Sequence, residues 1–288
     1  MFVSGFSFIR NATKLDYPIC EAIRSILPLL DEMVVAVGKS EDNTRELIQS
    51  LGPKIRIVDT TWDDSLRKGG EVLAVETNKA LDAVNPNSSW CIYIQGDECI
   101  HEQYHENVRA AMQEFAGDAK VEGLLFNYLH FYGSYDYIGD SRTWYRKEVR
   151  IIKNLKGIRS YRDAQGFRLD NRKLRVKKVD AYVYHYGWVR HPKHQMAKQL
   201  EAHKLWHTDN AIKKKFDANQ DFDYSEIDSI KPFEGTHPEV MIERIQNMNW
   251  TFDRDPKVKK FSLKNSILYF IEKNTGYRVG EYKNYKLV

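Results

Sequence analysis

The chain has 288 residues, 42% hydrophobic and 29% charged, and its Lys and Arg exceed its Asp and Glu by 44 − 40 = +4. That length and apolar content exclude a disordered or low-complexity chain and allow one large core, or a catalytic domain with a smaller helical addition. The thin positive excess suits phosphate-bearing or membrane-surface partners without calling for nucleic acid. Three cysteines, Cys20, Cys91 and Cys99, with no CxxC spacing, argue against a disulfide framework or a thiolate zinc site, so a reducing cytoplasm is the expected setting.

Residues 2–9 are apolar and β-prone, and they run into polar Arg10-Asn11-Ala12-Thr13, which reads as a first strand and loop rather than a leader. Ile19, Ile23, Ile26 and Leu30 then fall at helical spacing, and 33–37 is a second strand. Ser40-Glu41-Asp42-Asn43-Thr44 supplies N-cap chemistry for a helix through about residue 50, ahead of a third strand at 54–58. A helix over 71–84 and a strand over 90–94 follow, so the alternation predicts a mostly parallel sheet with helices on both faces. After a helix over 101–115 the pattern turns mixed, with strands near 123–131, 148–152 and 174–184. From His191 onward, Met196, Leu200, His203 and His207 sit at helical spacings, and further helices are expected near 238–249 and 262–273. The expected division is a catalytic domain over 1–190 and a helical extension over 191–288 packed on it. No apolar run approaches a membrane-spanning length.

The sharpest chemical signal is Ile92-Tyr93-Ile94-Gln95-Gly96-Asp97-Glu98, two adjacent carboxylates directly after a buried strand. Ligand sites of open parallel sheets gather at the carboxyl ends of strands, where hard oxygen ligands hold Mg²⁺ or Mn²⁺ against a diphosphate. A polar turn whose acids cap the next helix is the other reading. The second signal is Tyr184-His185-Tyr186-Gly187-Trp188-Val189-Arg190: an imidazole can ligate a divalent metal and a guanidinium can grip phosphate, while a packed core histidine is the plainer alternative.

With these elements in this order, the chain resembles the family-2 glycosyltransferases of the GT-A fold over about residues 2–190. Ser40, Asp42 and Thr44 match the S-x-D-x-T turn after the second strand, and Gln95-Gly96-Asp97 falls where an Asp-x-Asp-like element ends the fourth. The resemblance implies a metal-dependent transfer of a sugar from a nucleoside-diphosphate donor to a saccharide or lipid-linked acceptor, of the kind used in bacterial surface polysaccharide or glycolipid synthesis. It implies Mg²⁺ or Mn²⁺ on Asp97, with Glu98 and His185 as further ligands, and donor contacts from Asn78, Gln95 and Arg190. Arg67 and Lys68 stand as further donor contacts or as a solvated basic turn.

The sequence departs from the family pattern at Gln95, a neutral amide in place of the first acid, and at the turn after the second strand, which lacks a base-recognising acid. Inverting transfer needs a carboxylate to take the acceptor proton, and Asp136, Asp140, Glu148 and Asp163 are candidates, with Asp163 preferred because it follows a strand and has arginines beside it. Two other readings stay open. One is a zinc hydrolase built on His185, His191, His194, His203 and His207, although no HExxH is present; the other is a non-catalytic nucleotide-sugar or carbohydrate-binding protein of the same fold. A dinucleotide oxidoreductase is disfavoured by the missing GxGxxG. Lysines at 213–215 and 257–260, alternating with apolar segments such as 267–271, are compatible with peripheral contact at an anionic membrane or with a packed helical lid.

Overall fold

Strands β1 (Val3–Ile9), β2 (Glu32–Gly38), β3 (Ile55–Thr60) and β4 (Trp90–Tyr93) alternate with helices α1 (Ile19–Ile26), α2 (Thr44–Gln49) and α3 (Glu71–Asp82). This computed structural model describes residues 1–207, 211 and 220–288; the lysines at 213–215 lie outside the described residues. Each strand–helix–strand step brings the chain back in the same direction, so β1 is parallel to both β2 and β4, and β2 to β3. Pro28 helps explain why the first helix gives way at Ile26 to a 3₁₀ turn over Leu27–Leu29 instead of continuing to Leu30.

A short strand β5 (Glu98–Ile100) leads to α4 (His105–Glu114), then β6 (Gly123–Tyr132), β7 (Ser134–Gly139), β8 (Lys147–Lys153) and a long β12 (Arg175–Trp188). Between β8 and β12, β9 (Ile158–Tyr161), β10 (Gly166–Leu169) and β11 (Arg172–Lys173) form a separate antiparallel sheet. In the main sheet β8 is antiparallel to both β4 and β6, and β12 is parallel to β6. The order β3-β2-β1-β4-β8-β6-β12 therefore has β8 as its single reversed strand, which is the largely parallel sheet expected from the alternation.

Both faces of this sheet are covered, which is why its strands read as continuous apolar runs. Met33, Val35, Val37, Trp90 and Ile92 point to one face and pack with Ile19, Ile23 and Ile26 of α1, Ile48 of α2 and Val108 and Met112 of α4. Val34, Ala36, Cys91 and Tyr93 point to the other, against Ala80 and Leu81 of α3 and Ile158 and Phe167 of the small sheet. Each fully buried isoleucine of α1 contributes roughly 2 kcal/mol by apolar transfer, so burial of one face sustains an eight-residue helix.

After residue 190 come α5 (Pro192–His203), β13 (Ile230–Pro232), α6 (Ile242–Gln246), α7 (Leu263–Thr275) and β14 (Lys286–Leu287). The helices are joined by two short strands that enter the main sheet, β13 against β7 and β14 beside β12. Of the helix expected near 238–249, only a 3₁₀ turn and the five residues of α6 form. Among the described residues no helix is long and apolar enough to cross a membrane.

Candidate functional site

The carboxyl ends of β1 and β4 open into a cavity of about 220 Å³, lined by Phe8, Arg10, Asn11 and Tyr17 on one side and Gln95, Gly96 and Asp97 on another. Lys198, Glu201 and Ala202 of α5 close it from above. The loop after β1 is braced by the Ser40, Asp42 and Thr44 turn: Ser40 Oγ accepts from Asn11 N at 3.0 Å, Thr44 Oγ1 from Ala12 N at 2.7 Å, and Asp42 Oδ2 from Lys14 N at 2.7 Å. The three polar positions of that turn thus hold the cavity's wall, with Asn11 in the left-handed region at φ 55°.

Asp97 sits on the cavity floor and is nearly buried. Its Oδ2 accepts from Lys198 Nζ at 2.9 Å and lies 3.9 Å from Arg190 Nη2, while its Oδ1 is 3.8 Å from His185 Nε2. Burial alone would raise its pKa, but the charge and hydrogen bond of Lys198, with the charge of Arg190, outweigh burial and hold the carboxyl far below the usual range. Lys198 is pushed down to about 8, first by burial and then by Arg190. With His185 neutral, one carboxylate faces two cations, leaving a floor of net charge +1.

His185 is fixed by a relay. His130 Nε2 lies 2.8 Å from the Tyr145 carbonyl, which only accepts, so that nitrogen carries the proton. Burial, then the neighbouring His185, pushes the pKa of His130 well down, so its Nδ1 is bare and accepts from His185 Nδ1–H at 3.0 Å. Burial lowers His185 as well, against the pull of Asp97, and its Nε2 presents a lone pair towards Asp97. A metal-ligating histidine is typically oriented in this way, by donating its other ring N–H. Gly187 keeps the gap open: a Cβ there would stand 2.5 Å from His185 Nε2 and 3.1 Å from Asp97 Oδ2. Asp97 Oδ1 and His185 Nε2 are the two protein donors that could hold a divalent cation, which would share Asp97 with Lys198 and take the rest of its shell from a bound diphosphate and water.

Glu98 does not join them. Its side chain is fully buried, accepting from Arg150 Nε and Nη2 at 2.9 and 2.8 Å, from Tyr128 Oη at 2.9 Å and from Gln95 N at 3.1 Å. The expectation of Glu98 as a metal ligand is therefore corrected: a residue after Asp97 on a new strand points to the opposite side, and there Arg150 neutralises it. Among the described residues no group of three or more His, Cys, Asp or Glu side chains gathers as a metal cluster, which also leaves the five-histidine zinc reading without a centre.

The remaining predicted residues divide. Gln95 lines the cavity and donates Nε2–H to the Ala164 carbonyl at 3.3 Å. Arg190 is fully buried; its Nε donates to the Leu15 and Asp16 carbonyls and its Nη1 to the Gly187 carbonyl, so it chiefly locks the loop, with Nη2 lacking a hydrogen bond. Asn78 pairs with both backbone groups of Ser160, tying α3 to β9, and is used up structurally. Arg67 donates to the Lys204 carbonyl and lines a cavity that shares Arg10, Asn11, Trp62, Glu201 and Leu205 with the first, whereas Lys68 lies with Asp163 in another. Asp163 occupies the β9–β10 turn between Arg162 and Ala164, both at positive φ, in a cavity of about 420 Å³ that shares no lining residue with the first. Asp136 is exposed, Asp140 is tied to Lys259, Lys273 and Tyr269, and Glu148 is buried near Asn284. Sequence reasoning missed Lys198 and His130: each is an ordinary polar residue in its own helix or strand, and only the chain's path brings it to Asp97 and His185.

No family model matches the chain, and it has no match among curated proteins. Among solved structures it is similar to Staphylococcus aureus TarS, at 16% identity over 70% of this chain and 39% of that one, TM-score 0.39. For TarS 1–349 the values are 15%, 70%, 64% and 0.37. Glucosyl-3-phosphoglycerate synthase from Mycobacterium tuberculosis, solved with Mn²⁺, uridine diphosphate and glucosyl-3-phosphoglycerate, matches at 16% identity over 46% of this chain and 45% of that one, TM-score 0.30. The chain thus spans less than two thirds of the length of each, and superpositions this loose leave the functional argument to the chain's own geometry.

Proposed function

We propose that the chain is a GT-A-type glycosyltransferase that binds a nucleoside-diphosphate sugar in the cavity at the ends of β1 and β4 and transfers the sugar to an acceptor hydroxyl with inversion. The observation that carries this reading is the floor of that cavity, where Asp97 is held between Lys198, Arg190 and the bare Nε2 of His185. A site of net positive charge at the carboxyl ends of strands accepts a diphosphate. Asp97 and His185 would hold Mg²⁺ or Mn²⁺, which when bound supplies a positive charge to the leaving diphosphate.

The chain's own part is positioning and proton handling. Lys198 donates to the diphosphate oxygens, Tyr17 and the braced loop after β1 exclude water, and Asp163, on the β9–β10 turn, takes the acceptor proton as the hydroxyl attacks the face opposite the diphosphate. Residues 1–190 supply the floor and 191–288 the helix that covers it, which is the division of labour proposed for the two parts.

The test is release of nucleoside diphosphate from a panel of donors, with and without acceptor, followed by product NMR. An α-linked donor should yield a β-linked product, and Asp163→Asn should lower turnover about 10²–10⁴-fold with donor affinity retained. Binding without release across the whole panel would mean a non-catalytic nucleotide-sugar-binding protein, and a cleanly α-linked product would remove inversion.

A further inference from the structure

Helix α7 is apolar on two sides, with Leu268 and Ile271 half-buried and a second apolar stripe left outside. It starts at Ser262, whose Oγ accepts from Asn265 N, and ends at Gly276 in the left-handed region at φ 69°. The side turned to the protein is held by polar contacts: Tyr269 and Lys273 bond Asp140, and Glu272 pairs with Arg142 and Arg278. Leu263, Ile267 and Phe270, at spacings of four and three, form one stripe facing solvent with exposures of 81%, 55% and 68%. A helix that only needed to pack on the body would turn this stripe inward.

Charge says what the stripe meets. Residues 256–288 hold seven lysines and one arginine against Glu272 and Glu281, 8 − 2 = +6, whereas the whole chain carries +4; the other residues together are at −2. Lys264 follows Leu263 on the helix and Lys257 precedes it by six residues in the chain; both are exposed and outside the ion-pair network. Tyr277, largely exposed, follows directly after the helix. An apolar stripe with lysines near it and an exposed tyrosine at its end is the pattern of a helix lying in a membrane interface.

We propose that α7 and the strap after it dock this protein on an anionic lipid bilayer, with Leu263, Ile267 and Phe270 at headgroup depth and Lys257 and Lys264 against lipid phosphates. A second copy of the same surface would bring Lys257 and Lys264 against their own counterparts, and a nucleic acid would leave the apolar stripe in water. Anionic lipid satisfies both the charge and the stripe. The inference stands apart from the reaction proposed above, since it uses none of the residues around Asp97.

The test is co-sedimentation of the full chain with vesicles of phosphatidylcholine alone or containing phosphatidylglycerol, at low and raised salt. Retention on the anionic vesicles, at least tenfold weaker on neutral ones and weakened by salt, is expected. Ile267→Ser/Phe270→Ser should reduce retention on the order of tenfold or more while leaving thermal stability and nucleoside-diphosphate binding unchanged, because both side chains already face water. Lys257→Gln/Lys264→Gln should reduce it less and flatten the salt response. No retention on anionic vesicles at low salt, or full retention by the Ile267→Ser/Phe270→Ser variant, would overturn the proposal, as would a monomer–dimer equilibrium that this variant abolishes without vesicles present.

Discussion

Asp97 and Glu98 are neighbours in the chain and lie in two buried charge clusters of opposite character. Glu98 meets Arg150 in a two-pronged pair, both side chains wholly out of solvent, and Tyr128 and Gln95 take up its remaining lone pairs. Asp97 meets two cations and a neutral imidazole, and that cluster keeps an Arg190 Nη2 without a hydrogen bond, a bare His185 nitrogen and a lysine displaced from its ordinary pKa. A closed cluster has nothing to offer a ligand. An open one has donors and charge left over, and it is the open one that borders a cavity. Buried charge by itself therefore does not mark a site; unsatisfied valence beside a void does.

The comparison breaks most sharply at Arg150. Arg150→Met leaves Glu98 buried with no counter-charge and should cost about 3–5 kcal/mol of stability in urea unfolding, whereas Arg150→Met with Glu98→Gln should recover much of the loss. A loss below about 1 kcal/mol in the single variant would show that the cluster is hydrated rather than closed. Asp97→Asn is the counterpart. It should lower turnover by about 10²–10³-fold, the range for losing one group that stabilises charge in the transition state, with a smaller stability loss than Arg150→Met because Lys198 is on a helix at the cavity edge. Equal stability losses for the two variants would erase the distinction between closed and open.

Next in size is Glu148, buried beside Asn284 and pushed up by that burial to about 7 from an ordinary 4.5. The folded protein keeps this proton where the unfolded chain has released it, so the contribution is fully present below 4.5 and is lost as pH rises through 7. Glu148→Gln should leave stability near pH 4 about unchanged and raise it above pH 7 by up to about 3 kcal/mol; parallel pH–stability curves for parent and variant would refute this. The smallest effect is expected at His130, which touches the open cluster only through His185. His130→Leu removes the acceptor that fixes the His185 tautomer and should weaken Mn²⁺ binding, followed by electron paramagnetic resonance, about 10–100-fold. Unchanged Mn²⁺ affinity would take His130, and with it the relay, out of the site.

Much of this was legible in the residue order. Apolar runs separated by helical spacings marked β1 to β4 and α1 to α3, because burial on both faces leaves a local pattern. The strands missed, β5, β7, β9, β10, β11, β13 and β14, are short and carry polar residues, as in Ser134–Gly139 and Ile158–Tyr161, so their identity comes from the edge they pair with rather than from their own side chains. Asp97 and His185 were legible because each ends or interrupts an apolar run. Asn78 and Arg67 were legible as polar residues near the right elements, but their bonds go to Ser160 and Lys204.

The sequence by itself determined the alternation that makes the sheet largely parallel, and with it the end of the sheet at which the cavity opens, since strand direction follows from local pattern and chain handedness. Only the tertiary structure decided which of two adjacent acids faces that place. Glu98 starts a strand that pairs with β12, and this pairing turns its carboxylate to Arg150, 52 residues away in the chain, while Lys198, 101 residues away, reaches Asp97 from a helix laid across the strand ends. Partners so far apart in the chain leave no trace in local spacing, because the contact is set by how packed elements cross and not by any period within them.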